Sequence, residues 1–137
     1  MANCEAGIDD PRLVEASKAA ALVNLGIAKM RNGDVKDAEM DFRKALDMDP
    51  ELVDAKANLA AAFIRQKRYA DAEAMLSDPS IFSREVQPIA YYNRSIARLG
   101  LGDAQGSYSD IQTTLSLDPT HEGANSALGY YVVASID

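Results

Sequence analysis

The chain is poor in the residues from which small reactive sites are built. It has one cysteine, Cys4, and one histidine, His121. One cysteine cannot close an internal disulfide, and the two residues together cannot furnish a His/Cys zinc cluster. The same count argues against a Cys–His dyad or a Ser–His–Asp triad. Gly100-Leu101-Gly102 stands alone, so a glycine-rich phosphate loop is also missing. Asp47, Asp49 and Asp54 lack the glycine and terminal glutamate of a calcium loop at the required offsets. No metal, no cofactor and no enzymatic activity are expected.

Basic residues are scarce too. Lys and Arg number 14 against 21 Asp and Glu, a net charge of −7 among 137 residues. That balance speaks against nucleic acid, where a basic stripe supplies most of the affinity, and against an anionic membrane surface. Apolar runs are only a handful of residues long, far short of the roughly 20 that span a bilayer, so no membrane insertion is expected. The opening Met1-Ala2-Asn3-Cys4-Glu5 has neither a basic start nor an apolar stretch and does not read as a secretory signal. The expected location is cytoplasmic.

What is abundant is alanine, the strongest helix former, and it recurs with a period. Leu25-Gly26 returns as Leu59-Ala60 after 34 residues, as Arg94-Ser95 after 35 more and as Leu128-Gly129 after another 34. Ala28, Ala62 and Ala97 share a register, as do Ala38, Ala72 and Ser107, and Phe42, Leu76 and Ile111. Asn32-Gly33-Asp34 matches Leu101-Gly102-Asp103, and the stop at Asp49-Pro50 matches Asp118-Pro119. Each column has a physical role. Small residues at Gly26, Ala60, Ser95 and Gly129 let a partner helix cross closely. Larger residues at Phe42, Leu76 and Ile111 fill the space beneath. Gly33 and Gly102 suit a left-handed helix end, Asp34 and Asp103 suit helix caps, and Pro50 and Pro119 end a helix.

This pattern resembles the tetratricopeptide repeat family. Leu25, Gly26, Gly33, Ala38, Phe42, Ala45 and Pro50 carry the resemblance in the first unit. Leu59, Ala60, Phe63, Tyr69, Ala72 and Leu76 carry it in the second, and Tyr91, Gly102, Ile111, Leu115 and Pro119 in the third. The resemblance implies an all-α, right-handed solenoid of three helix-turn-helix units and a C-terminal capping helix. The expected organisation is an extension with the start of the first helix at 1–18, units at 19–52, 53–87 and 88–121, and at 122–137 a capping helix or the start of a fourth unit.

Departures from the pattern carry expectations. Ser77-Asp78-Pro79 interrupts the second helix of unit 2, which predicts an irregular or short-helical connection to Pro88, with Ile81 and Phe82 tucked against the core. Lys29 and Arg98 replace the usual aromatic and predict wetter sites, and Arg94 replaces a core leucine. His121 reads as an exposed turn residue, and Cys4 as incidental on a loose terminus. Tyr130, Tyr131, Val132 and Val133 give the last helix a surplus apolar face. That face suggests either self-association, a homo-oligomer through terminal helices, or a chain cut from a longer array.

The concave face of such a stack is lined by one stripe of each first helix. In unit 1 the stripe holds Ala20, Val23, Asn24, Ile27 and Arg31. In unit 2 it holds Asp54, Ala57, Asn58, Ala61 and Arg65, and in unit 3 Ile89, Tyr92, Asn93, Ile96 and Gly100. Asn24, Asn58 and Asn93 share one register. Such amides can both donate to and accept from a peptide backbone, each contributing about 1 kcal/mol net, and similar asparagine ladders hold extended segments in some members of the family. Arg31 and Arg65 are the expected partners for an acidic ligand residue.

Chaperone-binding members of the family clamp a terminal carboxylate with Lys and Arg. The matching positions here are Val23, Ile27, Asn58, Ile89 and Asn93, of which Asn58 alone fits. A register shifted by one unit gives Ala57, Ala61, Asn93, Gly123 and Ala127, of which Asn93 alone fits. A clamp for a chaperone tail is therefore not expected. The function read from the sequence is a non-catalytic module that binds a protein or peptide partner in its groove. A small secretion-type or assembly chaperone and a self-assembling scaffold are the alternatives.

Overall fold

The computed structural model describes residues 10–136, with the side chains of Tyr130 and 132–136 outside the description. The expectations for Cys4, and for the apolar face at Tyr130, Val132 and Val133, lie outside the described residues and side chains. The described residues form seven α-helices: α1 Pro11–Asn32, α2 Val35–Met48, α3 Asp54–Arg65, α4 Tyr69–Met75, α5 Gln87–Gly100, α6 Ala104–Leu117 and α7 Glu122–Ile136. A single 3₁₀ turn, Pro79–Ile81, sits between α4 and α5. Each helix packs on the next, α3 also touches α1, and α5 also touches α3. The architecture is an all-helical solenoid.

The turns follow the chemistry of their residues. Asp10 caps α1 by accepting the Arg12 amide at 2.9 Å, with Pro11 at the first helical position. Gly33 closes α1 at φ 88° and Gly102 follows α5 at φ 86°, both left-handed. In unit 2 the same position is Lys67, at φ 60°, a conformation in which a Cβ is strained. Asp103 caps α6 by accepting the Gly106 amide at 2.9 Å. Asp34 stands at the equivalent place before α2 but makes no side-chain cap bond, so the expected pair of caps reduces to one.

The core is built mostly of alanine, with a few larger side chains such as Leu59, Phe63 and Phe82. Phe42, Leu76 and Ile111 are fully buried beneath the small-residue column. A Cβ added at Gly26 would lie 2.5 Å from the Phe42 ring. Glycine is therefore required where phenylalanine is the partner, whereas alanine suffices opposite Leu76 in unit 2. Stacking explains a difference along one column. Leu25 in the first helix is 48% exposed, whereas Leu59 in the second unit is 3% exposed, because α2 packs on α3 and no helix packs on the outer face of α1 among the described residues.

The connection after α4 is irregular. Phe82 and Pro79 are buried there, but Ile81 is 45% exposed, so of the expected pair only Phe82 tucks against the core. Gln87 secures it further by donating to the carbonyl of Phe82 at 3.0 Å.

The charged substitutions for core residues are paired. Lys29 Nζ lies 2.8 Å from Asp41 Oδ2, and Arg98 Nη1 donates to Asp110 Oδ2 at 3.1 Å. Both pairs span the same repeat positions, which in unit 2 hold the core residues Phe63 and Met75. One inter-helix contact is thus ionic in units 1 and 3 and apolar in unit 2. The expected wetter sites are partly exposed, at 30% and 25% of the side chain for Lys29 and Arg98; Lys29 pairs with Asp41 on the following helix, and Arg98 shares Asp110 with Arg94 and also pairs with Glu73. Hydrogen bonding to Asp41 raises the Lys29 pKa above its ordinary value against the opposing effect of burial, with the charges of Asp41, Asp37 and Asp34 adding to the rise.

Candidate peptide-binding groove

The groove stripe comes from α1, α3 and α5, and its residues differ in availability. Val23 and Ile27 are half-buried and packed against the core cluster. Asn24 is exposed, whereas Asn58 and Asn93 are half-buried. Asn58 Nδ2 makes a long 3.4 Å bond to the carbonyl of Asp54, one turn back in its own helix. Ala57 is buried and Ala61 half-buried, so the floor between the asparagines is small and apolar, and Ile89 stands exposed on the same stripe.

The two arginines do different things. Arg65 Nη1 donates to the carbonyl of Met30 at 2.6 Å, a second bond to an oxygen at the end of α1 that also accepts the Gly33 amide at 3.1 Å. Arg31 is exposed and makes no ion pair among the described residues. Tyr92 is turned toward the end of the stack. Its ring lies 4.7 Å from that of His121, and a Cβ at Gly123 would lie 2.6 Å from it. His121 is accordingly half-buried, and its Nδ1 accepts the Ala124 amide at 3.0 Å, capping α7. The expectation of an exposed turn histidine gives way to a cap that the Tyr92 ring covers.

Beside the stripe, a cavity of about 280 Å³ opens between α5, α6 and α7. Tyr92, Ile96 and Leu99 line it from α5, and Ala127 and Tyr131 from α7. Of these, only Tyr92 and Ile96 belong to the stripe read from the sequence. The cavity is a property of how α7 leans on α6, and the one available signal was the i, i+4, i+7 spacing of Tyr92, Ile96 and Leu99.

Behind the groove lies a buried ionic cluster that the sequence reading did not anticipate. Arg94 donates to Asp110 through Nε at 2.9 Å and Nη2 at 2.8 Å. Its Nη1 donates to the carbonyl of Ser77 at 3.1 Å. The hydrogen bonds from Arg94 to Asp110 raise the guanidinium pKa further above its ordinary value, against the opposing effect of burial. A second cluster joins the first two units. Glu39 accepts from Gln66 at 2.8 Å, Arg43 at 2.8 Å and Arg68 at 2.9 Å. Burial opposes the charge on Glu39, but these bonds outweigh it and hold its carboxyl below the usual value. Burial opposes the charge on Arg68 as well, but its bonds to Asp71 and Glu39 outweigh this and raise its pKa above the ordinary value. Among the described residues no group of three or more His, Cys, Asp or Glu is placed to hold a metal ion, and no helix is long and apolar enough to cross a membrane.

The geometry can be set beside known proteins. A tetratricopeptide repeat family model matches residues 15–81. RNA polymerase II-associated protein 3 of Xenopus laevis is 30% identical over 124 residues, 90% of this chain and 19% of that protein. The Mus musculus protein of the same name is 28% identical over 120 residues, 88% of this chain and 18% of its own length. The chain thus spans about a fifth of the length of these curated relatives. The first TPR of Spaghetti (RPAP3), solved bound to the HSP90 peptide SRMEEVD, superposes with a TM-score of 0.80 at 25% identity, covering 89% of this chain and 96% of that one. The first TPR domain of human RPAP3 gives 0.79 at 26% identity, covering 88% and 94%. The repeat columns, the helix pairs and these likenesses agree, and residues 15–81 match the tetratricopeptide repeat family.

Proposed function

We propose that the chain is a non-catalytic protein-interaction module that holds an extended partner peptide in the groove of α1, α3 and α5. The observation that carries this reading is the Asn58–Ala61–Asn93 stretch, where two half-buried amides flank a floor of small residues. Amides so placed can pair with a peptide backbone, and the missing side-chain bulk leaves room for it. Support comes also from the first TPR of Spaghetti, which was solved with a bound HSP90 peptide. Arg31 is the groove cation left for a ligand acid, while Arg65 serves the end of α1. Tyr92 acts as a wall of the adjoining cavity. A cytoplasmic location is part of the proposal, to be checked by imaging the tagged chain.

The test is calorimetric titration of a captured partner segment against the wild type and the Asn58→Ala/Asn93→Ala variant. Two bonds of about 1 kcal/mol each correspond to about a thirtyfold weaker Kd. Unchanged affinity removes the groove from the function.

A second reading, self-association, is favoured by one observation. Ala21, Leu25 and Ala28 are exposed on α1, at positions where Ala55, Leu59 and Ala62 are buried in unit 2. Light scattering that stays monomeric at high concentration, or a Leu25→Lys variant with the same mass as the wild type, would count against it.

A further inference from the structure

We propose that Arg31 and Arg65 together form one oxyanion site, which holds the phosphate or carboxylate of a side chain internal to the partner segment. The inference rests on the peptide-binding reading above and names the class of peptide.

Register brings the pair together. Arg31 and Arg65 stand 34 residues apart, in the last turns of α1 and α3, and these two helices touch. Each arginine lies two turns beyond the asparagine of its own stripe, Asn24 or Asn58, about 10 Å along the helix. Arg65 Nη1 is tied at 2.6 Å to the Met30 carbonyl, which belongs to the peptide unit joining Met30 to Arg31. The Arg65 guanidinium is thereby held beside the backbone of Arg31. In the third unit the same register holds Gly100, where an added Cβ would lie 2.5 Å from the Tyr69 ring. The site therefore belongs to units 1 and 2.

Neither charge is neutralised. Both residues are exposed, and neither makes an ion pair among the described residues. Arg12, Arg43, Arg68, Arg94 and Arg98 each do, in a chain where 21 acids face 14 bases. The carbonyl ends of α1 and α3 favour a positive charge at each, but they engage one donor, Arg65 Nη1. The other guanidinium N–H groups of the pair make no bond among the described residues and lie open to a ligand.

Guanidinium groups recognise oxyanions through paired, charge-assisted N–H bonds. Two of them match the double charge of a phosphorylated side chain, and a glutamate or aspartate carboxylate can bridge the same donors. The asparagines take the backbone of the segment and the arginines its acidic side chain. A free chain end is not required, since Val23, Ile27 and Ile89 stand where a terminal-carboxylate clamp needs cations.

The experiment uses the full chain and fluorescein-labelled peptides of alanine, serine and leucine, amidated at the C-terminus and read by anisotropy. Their central residue is phosphoserine, glutamate or glutamine. The phosphoserine peptide should bind about tenfold more tightly than the glutamine peptide, with glutamate between them, and added salt should narrow the spread. Arg31→Gln and Arg65→Gln should each remove most of that preference, and Arg31→Lys should keep part of it. Lys44→Gln, which removes an exposed charge from α2, should leave it unchanged, and circular dichroism checks that every variant folds. A glutamate peptide that binds as tightly as the phosphoserine peptide, or more so, supports the site and assigns the carboxylate as its ligand. A glutamine peptide that matches both acidic ones, or arginine variants that behave like Lys44→Gln, overturns the site and leaves peptide binding standing. A glutamate peptide that gains tenfold when its C-terminus is left free places the anion at the chain end and overturns the internal acid. Binding by none of the peptides overturns the inference together with the peptide-binding reading beneath it.

Discussion

Arg94 and Asp110 form a two-pronged ion pair inside the third unit, with bonds of 2.9 and 2.8 Å and an acid side chain only 3% exposed. The pair has a cause in the preceding unit. Ser77-Asp78-Pro79 ends α4 early, leaving carbonyls at Leu76 and Ser77 without the amides of a further turn. Arg94 donates to both, and Asp110 neutralises the arginine that does so. Asp110→Asn should therefore cost about 3 kcal/mol, because it leaves a guanidinium buried without its counter-charge. Arg94→Leu/Asp110→Leu should recover part of that loss, falling short by the carbonyls that Arg94 no longer serves and by the bond that Arg98 loses. Urea unfolding of the three proteins measures both steps.

Lys67 occupies the left-handed turn that glycine fills in units 1 and 3. At φ 60° its Cβ is strained. Lys67→Gly should raise stability by about 0.5–1 kcal/mol, the relief of strain exceeding the added chain entropy. Thermal unfolding reads the change as an increase in Tm, and a decrease would show that the lysine side chain contributes more than its backbone costs.

Glu39 gives the fold an acid-sensitive joint between units 1 and 2. Its pKa in the folded chain lies below the ordinary 4.5. A lowered carboxylate pKa contributes stability that is present above the unfolded value and lost as pH falls through the folded one. Glu39→Gln should accordingly destabilise most at pH above about 5 and converge on the wild type as pH drops below 4.5. Denaturant midpoints across that range provide the check.

Gly26 and Phe42 are matched in shape. Gly26→Ala should destabilise by about 1–3 kcal/mol through overpacking, since the new methyl would meet the ring at 2.5 Å. Adding Phe42→Leu recreates the Ala60 and Leu76 pairing of unit 2 and should restore part of the loss. Chemical denaturation of the single and double variants measures the coupling.

The sequence by itself determined the repeat, and with it the fold. Small residues face large ones where helices cross, glycine is favoured where a turn is left-handed, as at Gly33 and Gly102, and proline stops a helix. These local requirements recur every 34 or 35 residues and so are legible without coordinates. The stripe of Val23, Asn24, Ile27, Asn58 and Asn93 followed from helix geometry alone. What the tertiary structure decided were relations between residues distant in the chain. Arg65 turned to Met30, His121 to Tyr92, and Arg94 to Asp110 and the shortened α4, because each side chain's best partner is fixed by how neighbouring helices lean, not by its own spacing. The cavity at Ile96 and Leu99 belongs to the same class. It exists only where α7 settles against α6, and periodicity within one helix carries no record of the gap left between two.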